Sequence, residues 1–391
     1  MSRQLINRSA DLRRLQEAGY QLSVHGGYLL IHHIPYVTAQ IEIRFGTLIT
    51  TLSLAGNTTT RPDTHVIYFD GGEPCHKDGM PITAIQHSSG TQQLSEGLVC
   101  QRSFSNKPAA GYQDYYEKVE TYVNILSSPA ASIDPNATAK TFLVSPDEED
   151  DSPFCYPDTN SSRAGIDIIS AKLRGLRIGI VGLGGTGGYV LDLVAKTPVG
   201  AIHIFDKDVF LQHNAFRAPG AADLKELEGP PAKAEYFQAI YRRMHRHIIP
   251  HILYLDEDSF KLLEGLDFVF LCLDKNAVRN SLMAELIRCK IPFIDSGIGV
   301  EAIGDQLIGT VRVTSGTPCK HDHLSQRVAL DDFEEDLYRS NIQIAELNML
   351  SASLAVIQWK KWYGFYQDLN REHHTTYTIN THHLDDTDHT I

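Results

Sequence analysis

Arg177–Val190, RIGIVGLGGTGGYV, decides the fold. Ile178, Ile180 and Val181 make a short apolar run, the pattern of a buried strand. Gly182, Gly184, Gly185 and Gly187 follow, and an apolar helical run starts at Tyr189. Glycines let a backbone approach a phosphate closely, and a helix N-terminus offers free N–H groups at the positive end of its dipole. A second strand pattern, Ala201–Phe205 (AIHIF), ends at Asp206, 19 residues after Gly187. An acidic residue about 20 residues beyond the glycines is where a βαβ nucleotide site places its ribose-binding carboxylate. Both strands, the turn and the acid together predict nucleotide binding. The turn alone is equally a glycine-rich bend in an ordinary α/β core.

Working outward, 391 residues suffice for two or three domains with a large core. A formal charge of -13 argues against general nucleic-acid binding, which needs basic patches. The amphipathic N-terminus MSRQLINRSADLRRL lacks an apolar signal core, and no run approaches a membrane span, so a cytoplasmic protein is expected. The six cysteines form no CxxC pair, so no zinc is expected. Reduced thiols suit the cytoplasm. Five histidines, His373, His374, His382, His383 and His389, read as a polar tail segment, with adventitious metal binding as the alternative.

The N-terminal part reads as a smaller α+β domain, residues 1–144. A helix is expected over residues 9–18, capped by Ser9 or Asp11. Strands are expected at Tyr28–Ile34, Gln40–Phe45, Thr47–Leu54 and Thr64–Phe69, and a helix at Tyr112–Leu126. Cys75 there is a candidate thiol carrier, or simply a packed turn cysteine. The acidic, proline-bracketed SPDEEDDSP marks a linker over residues 145–160. Residues 161–391 form the larger domain. Helices are expected at Ile166–Leu176, Lys225–His247 and Glu346–Tyr363. Strands are expected at Phe268–Leu273, Ile291–Ile294 and Ile308–Val313, a surface loop or short helix at Leu330–Arg339, and a final edge strand near Tyr377. Alternating strands and helices predict a Rossmann-like, doubly wound, mostly parallel sheet.

The residues after the second strand are more specific: Asp206-Lys-Asp208, then Asn214 six residues on and Arg217 three beyond that. Lys233 follows in GPPAKAEYF, and FVFLCLDKNAVRN supplies Asp274 at a strand end with Arg279 five residues later. The strand IPFI then leads into a glycine-rich continuation. In these features residues 160–365 resemble the ThiF/MoeB/ubiquitin-activating superfamily. The resemblance implies ATP- and Mg²⁺-dependent adenylation of a carboxylate, typically at the C-terminus of a ubiquitin-like or carrier protein, by a homodimer. It implies a phosphate floor at Gly182–Gly187, ribose binding by Asp206 beside Asp208, phosphate neutralisation by Arg217 and Lys233, orientation of Arg217 or a phosphate by Asn214, and Mg²⁺ at Asp274. An upstream arginine, here Arg163, would reach the partner subunit's ATP. Cys319, in SGTPCKHDH, is the candidate thioester nucleophile, with Lys320, His321 and His323 positioned to favour a thiolate. Two departures stand out: the CxxC pairs of many relatives are absent, and Lys275 replaces the usual asparagine after the metal-site aspartate. Adenylation of a peptide or small-molecule carboxylate, a non-catalytic ATP-binding adaptor and a nicotinamide dehydrogenase are the other readings.

Overall fold

A computed structural model describes residues 2–143, 145, 152–164, 166–274, 276–328 and 342–390. The expected acidic linker lies partly, and the Leu330–Arg339 segment and Lys275 wholly, outside the described residues. The chain divides into two compact units, Met1–Ser152 with Tyr156–Ala171, and Lys172–Ile391 with Pro153–Cys155.

The first unit is built on an antiparallel sheet. Its strands are β1 (Leu22–His25), β2 (Tyr28–Val37), β3 (Ile43–Thr51), the two-residue pair β4 (Leu54–Ala55) and β5 (Thr58–Thr59), β6 (Val66–Asp70), β7 (Gln86–Ser95) and β8 (Leu98–Ser105). The main sheet runs β1-β2-β3-β6-β8-β7. Helix Tyr115–Ile133 lays Tyr115, Val119, Tyr122 and Leu126, all fully buried, against Leu29, Ile31, Leu48 and Phe69. That spacing of three and four residues is the apolar stripe of an amphipathic helix. Asp114 caps the helix by accepting from the Glu117 N–H at 2.8 Å. Ser9 precedes helix Ala10–Glu17 without capping it, because its hydroxyl accepts from the Thr59 N–H at 3.1 Å instead. Asp11 likewise reaches out of its helix, to the Tyr115 N–H at 3.0 Å and to the Thr59 hydroxyl. Cys75 is buried and its thiol is pushed up by burial, which fits a packed turn cysteine.

The second unit holds an eight-stranded sheet: β9 (Arg177–Val181), β10 (Ala201–Phe205), β11 (Ile248–His251), β12 (Phe268–Leu271), β13 (Phe293–Ile303), β14 (Gln306–Gly316), β15 (His374–Thr378) and β16 (His383–Thr387). Its order is β11-β10-β9-β12-β13-β14-β15-β16. The first five are parallel and the rest antiparallel, so the sheet is Rossmann-like and mostly parallel where the glycine turn sits. Alternate residues feed two cores. Ile178, Ile180, Ile202, Ile204 and Phe270 pack with helices Gly185–Val194, Lys233–Tyr241 and Ala345–Trp362. Val181, Phe205, Val269 and Leu271 pack with helix Asn276–Arg288. A sheet buried on both faces reads as continuous apolar runs, as FVFL does.

Several expectations change. The helix expected at Lys225–His247 is two pieces, Leu224–Glu228 and Lys233–Tyr241, because Gly229, Pro230 and Pro231 interrupt it. Strand β13 runs well past IPFI, pairing with β14 from Phe293↔Gly316 to Ile303↔Gln306. The strand near Tyr377 is internal, with β16 outside it. The histidines of that segment are not a uniform polar tail: His373 and His374 are buried, bonded to Ser315 and Thr314 at 2.9 Å.

Candidate functional site

Strands β9, β10 and β12 end together, and a cavity of about 760 Å³ opens off their carboxyl ends, the ligand crevice of open α/β sheets. Gly182, Gly184, Gly185 and Thr186 line its floor, where helix Gly185–Val194 begins. Two glycines are required by geometry. Gly182 has φ +86°, and a Cβ there would stand 2.5 Å from the Cys272 carbonyl oxygen. At Gly187 a Cβ would stand 1.8 Å from the Gly182 carbonyl oxygen. Gly187 therefore lets the turn close on itself and is not among the cavity-lining residues. Asn348, fully buried on helix Ala345–Trp362, fills the space beside Gly185 and accepts from the Thr186 hydroxyl at 2.9 Å.

The acidic pair sits at the end of β10. Asp206 accepts from the Leu183 N–H at 2.7 Å and from the Asp208 N–H at 2.8 Å, so it ties the glycine turn to the neighbouring strand. Burial pushes its carboxyl up, against the pull of Lys233 and of these bonds. Lys233 opens its helix with Nζ 2.9 Å from Asp208 and 3.9 Å from Asp206. The Tyr254 hydroxyl donates to Asp208, and this bond pushes the phenol up to about 12.

Arg217 and Asp274 share the cavity. Arg217 is half-buried, and its Nε is enclosed without a hydrogen-bond partner. Desolvation lowers its pKa, and the Asp274 carboxylate opposes this. Both side chains line the cavity. The glycine turn, Asp206, Asp208, Arg217, Lys233 and Asp274 are thus brought together.

Other candidates lie elsewhere. Asn214 is buried and accepts from the Leu211 N–H at 2.9 Å, capping the short helix Gln212–Ala215, and it does not line the cavity. Cys319 is exposed in the Thr317–Lys320 turn and does not line it either. Lys320 pairs with Asp322 at 2.9 Å, His321 bonds the Thr317 carbonyl, and the buried His323 bonds the Ser315 carbonyl. The groups expected to favour a thiolate are therefore engaged with other partners. Arg163 belongs to helix Thr159–Ala164, and its side chain lies outside the described residues. Burial pushes up the Cys272 thiol, as suits a core position.

Sequence reasoning missed Tyr254, Ser296, Arg312 and Arg327, all of which line the cavity. Tyr254 follows β11, whose His251 stacks on Phe205 at 4.4 Å. The signal for Arg312 was available: it is the one charged residue in the otherwise uncharged strand pattern IGTVRV.

Residues 163–383 match the model of the ThiF family, and residues 10–159 match a domain of unknown function, DUF6791. Two curated molybdopterin-synthase adenylyltransferases, from Salmonella typhimurium (strain LT2) and Escherichia coli (strain K12), are each 31% identical over 150 residues. That match covers 38% of this chain and 58% of theirs, so the chain spans less than two thirds of these relatives. Among solved structures, E. coli MccB with MccA-N7isoASN aligns at 17% identity and TM-score 0.49, over 59% of this chain and 72% of that one. E. coli MccB with ATP aligns at 16% and 0.46, over 56% and 65%. The ThiF match extends over more than half of the chain and contains every residue placed in the cavity above: the protein belongs to the ThiF family.

Proposed function

We propose that the protein is an ATP-dependent adenylyltransferase that activates the terminal carboxylate of a carrier protein or peptide. The observation that carries this reading is Arg217. It is a half-buried cation whose Nε has no hydrogen-bond partner among the described residues, lining the same cavity as the glycine turn and feeling the Asp274 carboxylate. Such a group is short of an anion, and a phosphate oxygen supplies one. The adenylyltransferase relatives and the family match support the same chemistry.

The reaction would join a carboxylate oxygen to the α-phosphorus of ATP and break the bond to the β-phosphate bridging oxygen, releasing pyrophosphate. Negative charge is concentrated throughout, so catalysis rests on positioning and electrostatic stabilisation. The turn N–H groups would cradle phosphate. Asp206, held by Leu183 and Asp208, has lone pairs left for ribose hydroxyls. Lys233 would exchange part of its Asp208 contact for a phosphate oxygen. Asp274 has no ion pair among the described residues and lines the cavity; it fits a Mg²⁺ site, since Mg²⁺ is usually bound by one or two carboxylates plus substrate phosphates. The metal would neutralise phosphate charge. Cys319 stands outside the cavity lining, which favours the acyl-adenylate as the product formed in this site.

The test is exchange of labelled pyrophosphate into ATP with a carrier protein or a peptide bearing a free C-terminus. Exchange should require that partner, and Asp274→Ala should lower it by about a hundredfold or more. Exchange undiminished in the variant removes Asp274 from the metal site. ATP binding without AMP formation with any partner identifies an adaptor instead.

A further inference from the structure

The cavity continues past the nucleotide half onto β13 and β14, where its polar groups are not used by the phosphate chemistry. Asp295 is fully buried and holds one arginine on each oxygen. Arg279 Nε lies 3.1 Å from Oδ1, and Arg312 Nη2 lies 2.6 Å from Oδ2. The two arginines serve different halves. Arg279 donates to the Leu273 carbonyl, directly before Asp274. Arg312 stands on β14 with Nη1 on the Thr314 hydroxyl at 2.9 Å. These bonds occupy one N–H on each of its Nη nitrogens and leave the rest of the guanidinium, which lines the cavity.

Two neighbours complete the arrangement. Gly297 pairs directly with Arg312 across the strands, and a Cβ there would stand 2.9 Å from Nη2, so the glycine leaves the guanidinium its place. Ser296 also lines the cavity. It is 4% exposed, and its hydroxyl has no hydrogen-bond partner among the described residues. A buried hydroxyl without a partner is costly unless a ligand supplies one.

We infer that Ser296 and Arg312, anchored by Asp295, form the pocket that takes the acceptor's carboxylate and then its acyl oxygen, next to the nucleotide half. This rests on the adenylation reading and adds the residues that would read the acceptor. Arg312 would bind one carboxylate oxygen through its remaining N–H groups, and the Ser296 hydroxyl would donate to the other. Such an arrangement is specific for a free chain-terminal carboxylate over its amide.

Calorimetry with three probes tests this: AMP, the stable acyl-adenylate mimic 5′-O-(N-glycylsulfamoyl)adenosine, and α,β-methylene-ATP. Wild type should bind the mimic at least about tenfold more tightly than AMP. Arg312→Gln and Ser296→Ala should each erase most of that advantage while AMP affinity stays within about twofold, and Arg312→Lys should fall between. The inference is overturned if wild type shows no advantage for the mimic, or if Arg312→Gln keeps it. It is also overturned if the loss falls on α,β-methylene-ATP instead, which would make the pocket a seat for pyrophosphate. Failure of wild type to bind any of the three adenosine compounds sinks the adenylation reading itself and is distinct from these outcomes.

Discussion

Each unit of the molecule buries a lysine, and the two are handled in opposite ways. In the first unit Lys118 is fully buried and gives its ammonium to the Thr50 hydroxyl at 2.7 Å and to the carbonyls of Thr64 and Val66 at 2.9 and 2.8 Å. All three acceptors are neutral, and desolvation pulls its pKa down to about 7. In the second unit Lys233 is nearly as buried but faces two carboxylates and lines a cavity. Lys118 is matched donor for acceptor and has nothing left to offer. Lys233 is paired with Asp206 and Asp208 beside open cavity space, where the proposed phosphate contact would be made. Burial of a cation therefore says little by itself, and what marks a site is a cavity beside it and acceptors that a ligand can replace.

The comparison breaks most readily at Lys233. Lys233→Met should lower pyrophosphate exchange by about a hundredfold, whereas Lys118→Met should leave exchange within about twofold once the protein is folded. If Lys118→Met abolishes exchange in folded protein, the contrast is wrong. The next effect is on stability. Lys118→Met leaves a hydroxyl and two carbonyls without their donor and should cost the first unit about 1–3 kcal/mol. Both tryptophans, Trp359 and Trp362, lie in the second unit, so hydrogen exchange resolved by peptide is the measurement that separates the two.

The third effect is on pH dependence. The folded pKa of Lys118 is depressed to about 7 from 10.5, so above pH 7 the unfolded chain holds the extra proton. Stability of the first unit should rise with pH from about 7 toward 10 and fall as pH drops back through 7, with a slope approaching about 1.4 kcal/mol per pH unit. The slope should vanish in Lys118→Met, and a wild-type stability flat over this range would contradict it. The smallest effect is at Cys319. Cys319→Ser should leave pyrophosphate exchange unchanged within about twofold, since the thiol stands outside the cavity lining. A large loss of exchange would return Cys319 to the site.

What the sequence disclosed and what it hid follow from chain distance. The glycine turn, Asp206, Arg217, Lys233 and Asp274 follow strand ends or helix starts, so linear spacing fixes where they arrive. Arg312, Ser296 and Tyr254 reach the cavity through sheet order, which spacing does not encode. The apolar run IPFI predicts only a short strand, and its glycine-rich continuation is held extended by pairing with β14. Asn214 has the family spacing, but the local need of a helix cap at Leu211 claims its side chain. His373 and His374 are polar in type, but pairing of their segment with β14 buries them against Ser315 and Thr314.

The way the glycine turn is braced sets an order of assembly. Gly182 packs on the Cys272 carbonyl, the Cys272 N–H donates to Val181 at 2.8 Å, and Gly185 rests on Asn348. These partners come from about 90 and 160 residues downstream, and such distant contacts form late because loop closure precedes them. The first unit ends at Ala171, ahead of the turn, and the brace at Gly185 is supplied only by the helix bearing Asn348. The glycine motif is therefore complete in sequence long before its last brace is made.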